Sequence, residues 1–164
     1  NGAHTLTQTA TVAGAGSLAV TGGASTFDGA VTLVGMLSIA TGAATFNTDA
    51  YFMSAVNTGT LNLGSNRLVL TSLYTQGAAG VLNVRMDSGT QFGRILAGGS
   101  ITLSGRVNTT WGIGYSPAVG VTFDFISGST RVGTFSTVSI AALGGRVLEL
   151  LYTASGVSLV VNPG

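Results

Sequence analysis

Apolar and polar positions alternate along this chain in short bursts, each opened or closed by glycine or a small polar cluster. Val81-Leu82-Asn83-Val84 and Ile101-Thr102-Leu103 are two such bursts, separated by a polar segment that carries Asp87, Ser88, Thr90 and Gln91. A period of two predicts strands, and the polar segments between them predict corners. The formula Gly-x-Leu/Ile-x-Val/Leu/Ile recurs at Gly16, Gly35, Gly59, Gly80 and Gly99, with spacings of 19, 24, 21 and 19 residues. Self-similarity at such a period predicts the successive coils of a solenoid.

The units GSLAVTGGASTF (Gly16 to Phe27) and GMLSIATGAATF (Gly35 to Phe46) align closely at a period of 19. This alignment predicts interior columns of Leu18 over Leu37, Val20 over Ile39 and Phe27 over Phe46. Gly23 and Gly42 are predicted at a corner that needs positive φ or close backbone approach. Asn62 and Asn83 share an offset, so coils stacked in register place their amides outward and about 4.8 Å apart. That spacing suits an Asn ladder, the alternative being two separately solvated side chains. Further bursts at Val31–Val34, Tyr51–Met53 and Leu68–Leu70 predict a second wall. Residues 1–15 alternate through Thr5, Thr7, Thr9 and Thr11, which reads as one extended strand of a truncated first coil.

After Ser104 the regularity changes. Bursts at Val121–Ile126, Gly133–Val138, Arg146–Tyr152 and Val157–Val161 are joined by tight corners such as Ser127-Gly128, Gly144-Gly145 and Ser155-Gly156. Such corners predict antiparallel hairpins. The expected organisation is therefore β-helix coils over 1–105 and a C-terminal cap over 106–164, packed as one continuous domain.

Composition agrees with an all-β fold. Among 164 residues there are 26 Gly, 23 Thr and 16 Ser but one Glu and no Lys, so strand and corner formers outnumber helix formers. Only 7% of residues are charged and the net charge is +1, which offers no basic footprint for nucleic acid and no cluster for an anionic membrane. The absence of cysteine rules out disulfides and thiolate metal sites. No apolar run reaches the roughly 18 residues of a membrane helix, and the N-terminus lacks the features of a signal peptide, as in a piece of a longer mature chain. A mean hydropathy of +0.53 with so few charges predicts that some strand faces are covered by another copy or by the remainder of a longer chain.

Chemistry is sparse. Measured from their unit glycines, Asp28, Asp49 and Asp87 fall at different offsets, whereas glycoside hydrolysis needs two carboxylates flanking one bond. They read as corner residues, so no catalytic residue is expected. His4 is the sole histidine, and no metal, phosphate or cofactor motif accompanies it; no cofactor is expected. Arg85 and Asp87 are close enough to pair, but solvated charge is the preferred reading. Trp111 and Tyr115, near Pro117, form the densest amphipathic aromatic group. They are the candidate surface-binding residues, against the alternative that they seal the core at the transition to the cap.

The run from about Thr75 onward resembles the C-terminal part of bacterial autotransporter passengers. The resemblance lies in the Leu82–Val84 strand, the Gly step over Ser100–Gly105, the Pro-containing segment Gly114–Phe123, the Gly-x-Phe step Gly133–Phe135 and the final Tyr152–Val161 stretch. It covers about half the chain with degenerate motifs. It implies a right-handed parallel β-helix carried to a cell surface, ending in a capping module that aids folding. The predicted role is accordingly a non-enzymatic structural and adhesive surface module, extracellular or at the cell surface, that self-associates and engages a host surface or glycan. The competing reading is a virion or phage fibre element at a virion surface, built as a homotrimer; a carbohydrate-active β-helix enzyme ranks third.

Overall fold

The computed structural model describes residues 2–7 and 9–164; readings that fall on Asn1 and Gln8 lie outside the described residues. The described residues form strands and no helix, wound as a β-solenoid. Each coil contributes one strand to each of three walls. The first coil holds β1 (His4–Leu6), β2 (Val12–Gly14) and β3 (Leu18–Val20), and the second β4 (Ala24–Phe27), β5 (Val31–Leu33) and β6 (Met36–Ile39). The third holds β7 (Ala43–Phe46), β8 (Ala50–Phe52) and β9 (Ser54–Asn57), and the fourth β10 (Thr60–Gly64), β11 (Arg67–Leu70) and β12 (Tyr74–Gln76). Then come β13 (Val81–Met86), β14 (Arg94–Ala97) and β15 (Ile101–Leu103), followed by β16 (Arg106–Trp111), β17 (Thr122–Ser127) and β18 (Arg131–Gly133). The chain ends with β19 (Thr137–Ile140), β20 (Arg146–Tyr152) and β21 (Gly156–Pro163).

Wall A runs β1-β4-β7-β10-β13-β16-β19, wall C runs β3-β6-β9-β12-β15-β18, and wall B runs β2-β5-β8-β11-β14-β17-β21-β20. Pairing is parallel in walls A and C and, in wall B, as far as β17. In most strands of the central coils alternate residues point inward, and like positions of successive coils meet there. Wall A supplies Ala44, Leu61, Leu82 and Val107, and wall B supplies Val31, Ala50, Leu68, Ile95 and Ile126, all buried. Each fully buried leucine contributes about 1.5–3 kcal/mol relative to exposure. The predicted columns Leu18 over Leu37 and Val20 over Ile39 lie in wall C. Phe27 over Phe46 lies in wall A, its rings stacked with centroids 4.9 Å apart.

The five-glycine formula, by contrast, does not mark one column. Gly16, Gly35 and Gly99 lead into wall C, whereas Gly59 and Gly80 lead into wall A. A glycine corner followed by an alternating burst suits entry into any wall, so the spacing of 24 spans more than one coil. The true file at the entrance to wall A is Gly23, Gly42, Gly59, Gly80 and Gly105. There the amide of the residue after each later glycine donates to the carbonyl of the glycine one coil earlier, as in Ala43 to Gly23 at 2.9 Å and Arg106 to Gly80 at 2.8 Å. A Cβ on Gly42 would lie 2.8 Å from the Gly23 carbonyl oxygen, so close approach rather than conformation excludes a side chain there.

Beside this file the core contains polar groups. Asn57 and Gln76 point inward, almost fully buried, with the wholly buried Tyr74. Tyr74 donates its hydroxyl to Gln76 Oε1 at 2.8 Å, Gln76 Nε2 donates to the Arg106 carbonyl at 2.8 Å, and Asn57 Nδ2 donates to the Val81 carbonyl at 3.0 Å. These side chains find partners in carbonyls at the starts of β13 and β16, which offsets the cost of burying them.

Two expectations change. The Thr-rich N-terminus is not one strand: a turn closed by Ala10 N–H to the Thr7 carbonyl at 2.9 Å separates β1 on wall A from β2 on wall B. Thr alternation therefore spans a corner. In addition, parallel stacking does not stop at residue 105, because β16, β18 and β19 pair parallel with the coil beneath, as does β17 through Ile126 and Ser127. Among the described strands, antiparallel pairing is confined to β21 on β17 and β20 on β21. A polar solenoid corner and a hairpin turn share one sequence signature; corner length changes soon after Ser104, and strand direction reverses only at the final hairpin. The hairpin adds rungs to wall B alone, giving sheets of seven, eight and six strands and a stepped C-terminal end.

Candidate functional site

The outward face of wall A carries a continuous polar column. Thr5, Thr26, Thr45, Asn62, Asn83, Asn108 and Ser139 occupy equivalent register positions. Every residue of the column from Thr26 to Asn108 stands three positions after a glycine of the corner file, because the corner sets which way the following residues point. The amides form a ladder in one direction: Asn108 Nδ2 donates to Asn83 Oδ1 at 2.7 Å, Asn83 Nδ2 to Asn62 Oδ1 at 2.6 Å, and Asn62 Nδ2 to Thr45 Oγ1 at 3.0 Å. The ladder expected from Asn62 and Asn83 is thus present and longer than the sequence indicated. Its rungs bridge 17, 21 and 25 residues, a measure of how the coils lengthen toward the C-terminus.

Asn62 and Asn83 each use one of two amide hydrogens and one of two oxygen lone pairs within the ladder, leaving a donor and an acceptor facing outward. The half-buried amides floor a groove of ≈ 300 Å³ that Asn47, Arg85 and Thr110 border on one side. Gly64, with φ at +53°, forms a bulge opposite Val84 that shifts the register beside the ladder. Arg85 brings little free charge to the groove, because its Nε and Nη2 donate to the two oxygens of Asp87 at 2.6 and 2.8 Å. Pairing replaces the solvated charges expected from sequence. The Arg85 hydrogen bonds hold the Asp87 carboxyl below its ordinary range against the opposing effect of burial.

The remaining carboxylates each accept a hydrogen bond as well. Asp28 accepts from Asn47 at 2.5 Å, Asp124 from Ser158 at 2.6 Å and Glu149 from Asn162 at 3.3 Å. Asp49 accepts from the Arg67 backbone amide at 2.8 Å and from its guanidinium at 2.6 and 2.9 Å. Burial acts to raise the Asp49 carboxyl, but these bonds and the Arg67 charge outweigh it and leave it lowered. Among the described residues no group of three or more His, Cys, Asp or Glu side chains is arranged to hold a metal ion.

Trp111 and Tyr115 do come together, with ring centroids 6.4 Å apart, and both are partly buried. Both rings pack on the fully buried Phe123, at 5.9 and 6.3 Å, and Trp111 Nε1 donates to the Ala141 carbonyl at 2.7 Å. Burial raises the Tyr115 hydroxyl above its usual range. The pair closes the long corner between β16 and β17, beyond the end of the ladder groove. Elsewhere, Val34, Met36, Tyr51, Met53 and Leu73 form an exposed apolar stripe around the corner from wall B to wall C. Sequence reasoning missed Thr45 and Asn108 as ladder members, although Gly105-Arg106-Val107-Asn108 repeats the offset of Gly80-Val81-Leu82-Asn83.

Comparison of the chain with family models, with curated proteins and with solved structures yields no match.

Proposed function

We propose that this chain is a non-enzymatic structural and adhesive module, a stiff β-solenoid segment of a longer secreted or surface protein, whose wall A groove holds a neutral glycan. The observation that supports this reading is the one-directional amide ladder. It repeats an outward donor and acceptor from coil to coil, and such pairs suit the neighbouring hydroxyls of a sugar chain lying along the rod. With Arg85 neutralised by Asp87, hydrogen bonding rather than charge selects the ligand. The C-terminal hairpin covers the last coil and aids folding, and the module works outside the cell or at its surface.

The test is binding to a printed array of neutral and acidic oligosaccharides by the intact chain and by the Asn83→Ala/Asn108→Ala variant, with thermal melts confirming that the variant is folded. Retention of neutral glycans that falls at least tenfold in the variant supports the reading. Failure to retain any glycan, or equal retention by both proteins, overturns it. The competing virion-fibre reading keeps the same rod in a homotrimer. Of the residues that distinguish the two readings, Leu37, Leu61, Leu82 and Ile101 are buried within a single chain and Leu18 is partly buried, which supports the self-contained form.

A further inference from the structure

The C-terminal hairpin ends in an edge strand that matches itself. We infer that β20 pairs antiparallel with β20 of a second copy, joining two rods tip to tip through wall B. This inference stands on the edge strand alone and is independent of what the ladder groove binds.

β20 is the outermost strand of wall B, hydrogen-bonded to β21 on one side only. At the hairpin turn Thr153 N–H donates to the Gly156 carbonyl at 3.0 Å. Antiparallel alternation from that pair directs the backbone N–H and C=O groups of Leu148 and Leu150 to the open edge. An unpaired edge of this kind is a template for another strand unless lysine, proline or a bulge protects it. β20 contains neither lysine nor proline, and it pairs with β21 without a register shift. Because wall B has eight strands against seven and six in the neighbouring walls, the step lifts β20 clear of them.

The sequence of the strand, Arg-Val-Leu-Glu-Leu-Leu-Tyr, is nearly symmetric about Glu149, and this identifies the occupant as a second copy. A dyad through Glu149 sets Leu148 against the other copy's Leu150 in hydrogen-bonded pairs. On the outer face it sets Val147 against Leu151. Val147 and Leu151 are each 52% exposed in the single chain, and Leu148 and Leu150 are only half-buried. Pairing covers all four in both copies at once. One element opposes it: Glu149 meets its own equivalent across the axis, and like charges directly opposite weaken a strand pair.

Sedimentation equilibrium and light scattering on the intact chain over a wide concentration range read the association. The expected result is a monomer–dimer equilibrium. Leu151→Lys, at an exposed position that leaves the melting temperature unchanged, should weaken it at least tenfold. Glu149→Gln should tighten it about two- to fivefold by removing the like-charge pair. A strict monomer at every concentration overturns the inference. So does an oligomer that Leu151→Lys leaves intact, which would direct attention to the apolar stripe around Met53, and so does a trimer.

Discussion

Gly105 sits directly over Gly80, and the amide that follows it, that of Arg106, donates to the Gly80 carbonyl at 2.8 Å. Gly105 holds φ at +66°, and a Cβ there would lie 2.6 Å from the Gly77 carbonyl oxygen. Gly105→Ala therefore combines backbone strain with a clash against main chain and should cost about 1–3 kcal/mol or more. Gly16, which has open space around it and no positive φ, serves as the control: Gly16→Ala should change stability by no more than about 0.5 kcal/mol. Urea melts of the two variants make the comparison.

Asn83 takes part in two rungs of the ladder, one as donor and one as acceptor. Asn83→Ala removes both from a partly solvated face, at about 0.5–1.5 kcal/mol for each hydrogen bond. A matching loss in chemical denaturation, with the all-β circular dichroism spectrum retained, is the expected outcome. A variant as stable as the parent would mean that the ladder orients side chains without holding the coils together.

Acid should weaken the rod through Asp49 and Asp87. Both carboxyls are lowered in the folded state, so their contribution is present above the unfolded value of about 3.9 and is lost as pH falls through the folded values. The pairs are partly exposed, so each contributes no more than about 1 kcal/mol. Melting temperature recorded from pH 7 to pH 2 should drop below about pH 4. The Arg67→Gln/Arg85→Gln variant should show a shallower drop.

Base acts through Tyr74. Burial raises its hydroxyl well above the ordinary value, with the neighbouring Asn57 side chain opposing the shift. A raised folded value means that the stability is intact below the unfolded value of about 10 and declines as pH rises beyond it. Ultraviolet titration should show one tyrosine that ionises only as the chain unfolds. Tyr74→Phe abolishes that late step and leaves Gln76 Oε1 without its donor, at about 1–3 kcal/mol.

Truncation after Ala141 tests the hairpin. It removes the buried Val157, Leu159 and Val161 and bares the edge of β17, the strand that carries Phe123 and Phe125. The shortened chain should aggregate on purification, whereas a soluble product that melts cooperatively would show that the coils need no cover.

Much of this architecture was legible because stacked coils impose short-range periodicity. The coincidence of Leu18 with Leu37 and of Phe27 with Phe46 at one period carries directly into two walls. What misled was reuse of one local pattern: Gly99-Ser100-Ile101 and Gly80-Val81-Leu82 look alike as strings but open different walls. Counting the residue three places after each corner glycine, Thr45, Asn62, Asn83 and Asn108, would have kept a single wall in view and revealed the whole ladder. The pairing of Arg85 with Asp87 and the folding of Trp111 and Tyr115 onto Phe123 depend on where the longer corners run, which alternation does not encode.

The stepped C-terminal end also sets where such a rod can change length. A further coil laid on β19 and β18 would need the place in wall B that the hairpin already fills, whereas the 19-residue units lie away from that end. Duplicating a 19-residue unit such as that of Gly16 would therefore extend the molecule by about 4.8 Å at the opposite extremity. The tip and the groove near it would be inherited without alteration.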